Sequence, residues 1–237
     1  GAFREAASPL ADSAGAWQEG KERKRLALKR SDFLERVETA RRSLRHKYLY
    51  AFVSAAFFLA FALYLTFASE AFQRQYLYPF PYRDTVEGYA GRYHVDPYLA
   101  AAVIKTESKF QDSVHSHRGA IGLMQLMPDT AEWIAGQLED PAYSVKAIHE
   151  PERNIRYGIW YLRSLQREFG GNDVLALAAY NAGRGNVQEW IRDYHWPPDF
   201  HDIDAIPYQE TREYVKKVLL TERKYRNLYP VLDDTAN

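Results

Sequence analysis

Cysteine is absent from the 237 residues, which excludes a disulfide framework, a thiol nucleophile and any thiolate-held metal. A surplus of either charge is missing too. The 31 Lys and Arg balance 31 Asp and Glu, so no global positive field draws the chain to nucleic acid, and none is expected as a partner. His115, His117 and His149 fall in one region, but no His-Glu-x-x-His pattern occurs, so neither a metal nor another cofactor is expected. Alternating strand-like runs are scarce and no internal repeat is present. What the chain does have is apolar content, 46% hydrophobic, enough for a packed core.

Part of that content is a single run. Between Lys47 and Glu70 lie 22 residues without a charge, rich in Phe, Leu, Ala and Tyr. As a helix they extend roughly 33 Å, enough to span a bilayer core of about 30 Å. A core helix of this length would carry a polar face, and a cleavable signal would be shorter and followed by a small-residue cleavage site. Residues 48–69 are therefore expected to be a retained transmembrane helix. Residues 1–47 hold 12 basic against 7 acidic side chains, with Arg41, Arg42, Arg45 and Lys47 against the apolar run. This places the amino end in the cytoplasm and the larger carboxyl-terminal part outside a single-pass membrane protein. The first twenty residues read as a flexible tail, and residues 21–45 as a basic juxtamembrane helix that serves orientation.

Tyr78-Pro79-Phe80-Pro81 cannot continue a helix, so residues 70–81 read as a stiff linker and the folded domain as residues 82–229, followed by a tail at 230–237. The domain is expected to be all-α. Asp96-Pro97 starts a helix that runs to about Ser108, with Asp96 as N-cap. Asp129 with Glu132 resembles a capping box opening a second helix. A third begins at Pro151 and ends at Gly170-Gly171, with Ile155, Ile159, Leu162, Leu165 and Phe169 on one face. Further helices are predicted from about Val174 to Gly183, after Gly185, and from about Thr211 to Arg226.

Leu99, Val103 and Glu107 are spaced by four, which puts a carboxylate on the core-facing side of the first of these helices. Burial disfavours the charged form, so its pKa is expected to rise from about 4.3 towards 6, and a glutamic acid still protonated near neutrality can act as a general acid. From Ser116 to Pro128 the chain carries Gly119, Gly122, Gln125 and two thioethers, Met124 and Met127. That composition suits a groove wall, and taken alone it suits a glycine turn with methionine in the core better.

Four strings then stand in order: Glu107-Ser108, Gly119-Ala120-Ile121-Gly122-Leu123-Met124-Gln125, Ala179-Tyr180-Asn181-Ala182-Gly183 and Glu210-Thr211-Arg212-Glu213-Tyr214-Val215. Together they resemble the soluble-lytic-transglycosylase type of lytic transglycosylases, over about residues 80–229; Asn154, Gly158 and Tyr161-Leu162 resemble that family's scaffold helix. The resemblance implies a lysozyme-like (goose-type) α-helical catalytic domain acting on peptidoglycan glycan strands. It implies that Glu107 protonates the oxygen between N-acetylmuramic acid and N-acetylglucosamine, then takes a proton from the muramyl C6 hydroxyl, which closes a 1,6-anhydro ring. An internal nucleophile removes the need for the second carboxylate of ordinary glycosidases. By the same resemblance Ser116, Gln125, Met127, Tyr180, Asn181, Glu210 and Tyr214 bind substrate. Tyr180 reads equally as a buried aromatic or a group that hydrogen-bonds near Glu107 with a direct catalytic role, Glu210 equally as a charge favoured at a helix N-terminus, and Ser108 as structural or substrate-facing. Arg118 and the nearby histidines read first as a solvated loop, with contact to peptide-stem carboxylates as the alternative.

Two alternatives stay open at this level. A lysozyme-type hydrolase of the same bond would need an activated water and a second carboxylate, for which Asp112 and Asp129 are candidates. A membrane-tethered peptidoglycan-binding scaffold would hold glycan without cutting it.

Overall fold

The computed structural model describes residues 9–230, so the predicted tail lies almost wholly outside the described residues, as do residues 1–8. It divides into two units at residue 67. The first is a single helix, α1 (Pro9–Ala68), about 90 Å long. Helix already at Pro9 corrects the expectation of a flexible tail over the first twenty residues: Leu10, three alanines, Gln18 and Glu19 are strong helix formers, and no proline follows Pro9 to interrupt the run. Along the uncharged stretch the large side chains, among them Phe52, Phe57, Phe58 and Leu59, are exposed.

The second unit opens with α2 (Glu70–Phe72), capped by the Ser69 hydroxyl, which accepts from the Phe72 N–H, and one turn of π-helix over Gln73–Leu77. Residues 70–77 are thus helical where a linker was expected. The extended Tyr78–Pro81 stretch is also pinned to the unit. Tyr225 donates to the Pro79 carbonyl at 2.8 Å and Tyr229 to the Tyr78 carbonyl at 2.9 Å, while Phe80 sits 5.3 Å from Tyr225, centroid to centroid. Two prolines make the segment stiff, but its aromatics give it apolar surface to bury.

Then follow α3 (Arg83–Tyr93), α4 (Pro97–Glu107), α5 (Pro128–Gln137), α6 (Pro151–Glu168), α7 (Asp173–Ala182), α8 (Arg184–Tyr194) and α9 (Gln209–Leu228). No strand occurs among the described residues; only isolated bridges join His115, Ile121 and Leu126. The unit is all-α, as expected. Helix α4 lies at its centre: every side chain from Tyr98 to Ile104 is buried, and α9 and α3 pack against it. Each buried Leu, Val or Ile there contributes about 1.5–3 kcal/mol. Asp96 caps it, accepting from the Tyr98 N–H at 2.8 Å, with Pro97 at the first helical position.

The capping-box reading of Asp129 needs correction. Pro128 opens α5, because its fixed φ suits the first helical position, and Asp129 sits inside the first turn. Helix α6 ends where Gly170 and Gly171 take positive φ, and it packs on α3, α5 and α7. Helix α7 in turn contacts α8 and α9. The loop between α4 and α5 is left to form one wall of a groove.

Candidate active site

Glu107 is the last residue of α4, half-buried, at the point where the helix surfaces in a groove of about 410 Å³. The lining includes Ser116, Gln125, Met127, Tyr180, Asn181 and Glu210. Six of the seven predicted substrate-binding residues are therefore brought together around Glu107. Just past Glu107, Lys109 and Phe110 hold positive φ of 54° and 63°. Side chains pay roughly 1–2 kcal/mol for that conformation. Burial of Phe110 against Phe80 and Tyr225 holds the turn in place. Ser108 faces inward, donating to the Ile104 carbonyl at 3.1 Å, which makes it structural.

Burial lifts the Glu107 carboxyl from its ordinary 4.5 to about 7, against the opposing pull of the Tyr214 hydroxyl and the Lys217 ammonium. The expectation of a raised value is met, and by somewhat more than sequence suggested. Tyr214 is the exception among the predicted residues. It is buried behind the groove instead of lining it, because its place on α9 turns it towards α4. Its hydroxyl finds no partner at full hydrogen-bond geometry among the described residues, yet lies near enough to Glu107 to favour the carboxylate. Burial, and then the Glu107 charge, raise the Tyr214 phenol well above its ordinary value, so it remains a donor.

Burial, and then the charge of nearby Glu107, raise the Tyr180 phenol well above its ordinary value. Its hydroxyl donates to the Met124 carbonyl at 2.8 Å, so the phenol secures the loop while the ring faces the groove. Asn181 accepts from the buried Thr211 hydroxyl at 2.8 Å, tying α7 to α9. The Ser116 hydroxyl accepts from the Ala120 N–H at 2.9 Å. Gln125, at φ 47°, donates through its side chain to the carbonyls of Val114 and Gly122, at 3.0 and 2.8 Å. Each of these polar groups closes the wall first and offers its remaining hydrogen-bonding capacity to the groove.

The wall rests on α6 through Asn154, which is fully buried and satisfied. It accepts from the Met124 N–H at 2.8 Å and donates to the carbonyls of Ile121 and Ile148 at 2.9 and 3.0 Å. A Cβ on Gly122, at φ 76°, would lie 2.5 Å from the Asn154 amide nitrogen, and one on Gly158 would lie 2.2 Å from Met124 Sδ. The two glycines are thus explained by close approach of loop and helix. The methionines divide the two readings of this stretch: Met124 is buried in the core and Met127 is 42% exposed in the groove.

Sequence reasoning missed Thr130, and took Tyr161 as scaffold and Arg118 as solvated loop, although all three line the groove. Tyr161 carried a signal, lying off the apolar face of α6 as an exposed aromatic would; Thr130 carried none. Asp112 and Asp129 are not in the lining, so the second carboxylate there is Glu210, exposed in the first turn of α9. Among the described residues no three His, Cys, Asp or Glu side chains gather as a metal site. His115 and His149 meet ring to ring at 4.9 Å.

The family described as Transglycosylase SLT domain matches residues 84–203. A soluble lytic murein transglycosylase of Escherichia coli strain K12 is 36% identical over 151 residues, which cover 63% of this chain and 23% of that protein. A membrane-bound lytic murein transglycosylase C of Haemophilus ducreyi is 32% identical over 174 residues, covering 62% and 46% respectively. Among solved structures, the 70 kDa soluble lytic transglycosylase of Escherichia coli superposes with a TM-score of 0.59 at 35% identity, covering 63% of this chain and 25% of that one. A complex of the 70 kDa soluble lytic transglycosylase with bulgecin A gives 0.60. The chain spans between a quarter and a half of the length of these relatives. With its family match extending over half its length and its groove built from the four ordered motifs, this chain belongs to the transglycosylase SLT domain family.

Proposed function

We propose that this chain is a membrane-anchored lytic transglycosylase that cleaves the β-1,4 bond between N-acetylmuramic acid and N-acetylglucosamine in peptidoglycan and leaves 1,6-anhydro ends. The observation that carries the reading is Glu107: a carboxyl whose pKa is lifted to about 7, in a groove able to hold a glycan. At that pKa it is a fair acid and a fair base near neutrality. Protonated, it gives its proton to the glycosidic oxygen as the bond to C1 breaks. Ionised, it takes the proton of the muramyl C6 hydroxyl as that oxygen bonds to C1. Proton count balances and no water is consumed. Groove contacts supply the remainder by holding the C6 hydroxyl near C1. Tyr214 favours the ionised state in the second half-reaction.

The uncharged residues at the end of α1, exposed along their length, call for an apolar solvent, which supports residues 48–69 as the membrane span. The basic excess of residues 1–47 supports a cytoplasmic amino end, with residues 82–229 as the catalytic domain on the wall side. Peptidoglycan strands are then the partner, and no cofactor is needed.

Glu210 keeps the hydrolase reading specific, because it gives the groove a second carboxylate. Mass spectrometry of muropeptides released from purified peptidoglycan separates the two. Anhydro ends from the wild type, a loss of roughly 100-fold or more in Glu107→Gln, and retained activity in Glu210→Gln are expected. Reducing ends together with a silent Glu210→Gln would make the protein a hydrolase; sacculus binding with no release by the wild type would make it a scaffold.

A further inference from the structure

Away from the groove, α4 and α9 share a second face. A hollow of about 740 Å³ has Leu77, Tyr78 and Leu220 in its lining, with Leu220 62% and Leu77 42% exposed. Its rim carries Lys105, Lys109, Lys216, Lys217 and Lys224 against one carboxylate, Glu213. Lys216 pairs with Asp204, and Glu213 accepts from the side chain of Gln209 at 2.8 Å. Lys105, Lys109 and Lys224 have no such counter-charge among the described residues, and Lys217 feels the Glu107 carboxylate only from beyond ion-pair distance. Burial and then the charges of Lys109 and Lys217 make the Lys105 ammonium easier to deprotonate, a sign of mutual repulsion left unrelieved. In a chain whose charges sum to zero, such a cluster around exposed leucines fits a surface with anionic headgroups over an apolar interior better than water.

We propose that this lysine-rimmed apolar face docks on an anionic phospholipid bilayer, with Leu77 and Leu220 entering the headgroup layer and the four lysines pairing with lipid phosphates. The proposal rests on the reading of residues 48–69 as a membrane span. Leu77 stands only a few residues beyond the end of that run, so a bilayer surface is within the chain's reach. The docking also sets direction. On α4, positions 105 and 107 lie about 200° apart around the axis. A bilayer under Lys105 therefore turns Glu107 and its groove away from lipid and towards the wall.

The absence of cysteine makes the test simple, since one introduced cysteine gives one label. Full-length protein carrying an environment-sensitive dye at Leu220→Cys, or at Glu189→Cys on α8 as control, is incorporated into lipid nanodiscs with or without anionic phospholipid. The expected result is a blue shift and protection from an aqueous quencher at position 220 only, and only in anionic discs. The shift should vanish near 1 M salt, where the Debye length is about 3 Å. It should weaken by roughly fivefold in docked population for each lysine changed to Gln. The exposed pair Lys109→Gln and Lys224→Gln suffices for this if the fourfold variant folds poorly. Equal emission in both kinds of disc, or a shift that survives the lysine changes, overturns the proposal. So does a response to soluble polyphosphate with none to anionic lipid, which would assign the face to a wall polymer. Failure of the chain to enter discs at all sinks the anchor reading and this one together, whereas entry without a response at position 220 sinks this one alone.

Discussion

Glu107→Gln should make the protein more stable above neutral pH at the same time as it silences it. In the unfolded chain the carboxyl ionises at its ordinary 4.5, whereas in the folded groove burial holds the proton until about 7. Between those values the folded state binds more protons than the unfolded state, so stability falls as pH rises through the window and levels off above it. The full rise corresponds to about 3 kcal/mol, which partial solvent exposure reduces to about 1–2 kcal/mol. Gln has no charge to desolvate and keeps the same shape. The variant and the wild type should therefore melt together near about pH 4 and separate by roughly 2–8 °C above about pH 8, with the variant higher. Thermal unfolding in mild detergent, followed by circular dichroism across that range, measures it. A pH-independent offset, or a variant that melts lower at high pH, would show that the carboxylate is well satisfied by its neighbours and would refute the account of its raised pKa.

Tyr214→Phe removes the group that favours the Glu107 carboxylate without changing packing. The alkaline limb of the pH–activity profile should move to higher pH while folding is retained, and an unmoved limb would leave Tyr214 a packing residue. Gly158→Ala places a Cβ against Met124 Sδ and should cost about 1–3 kcal/mol by urea unfolding. Met124→Ala in the same chain should recover part of that, a coupling that two independent sites would not show.

Much of this site was legible because its residues obey local rules. Asp96-Pro97 announces a helix start through capping chemistry that acts over two residues, and Gly170-Gly171 announces a stop through a conformation only glycine adopts cheaply. Glu107 stood out because a carboxylate continued an apolar spacing. Even so, the stripe was too narrow a description, since α4 is buried on all sides from Tyr98 to Ile104. What escaped depended on partners distant in sequence. Helix α3 buries only Val86 and Ala90 and carries two glycines, so nothing in its own pattern marks it. Tyr214 has the motif position of a substrate contact, and only the packing of α9 on α4 shows it behind Glu107. The hydroxyl of Tyr180 goes to Met124, 56 residues earlier in the chain, a choice no spacing encodes.

The bonds from Tyr225 and Tyr229 to the carbonyls of Pro79 and Tyr78 close the helical body of the second unit like a clasp, with the segment that leads into α3 held against the end of α9. A unit clasped in this way can be spliced behind a membrane helix or onto the body of a far larger protein without disturbing its own interior. Its position in a chain is then free to change while its groove stays the same, and selection can relocate that groove by altering only what is attached to the clasp.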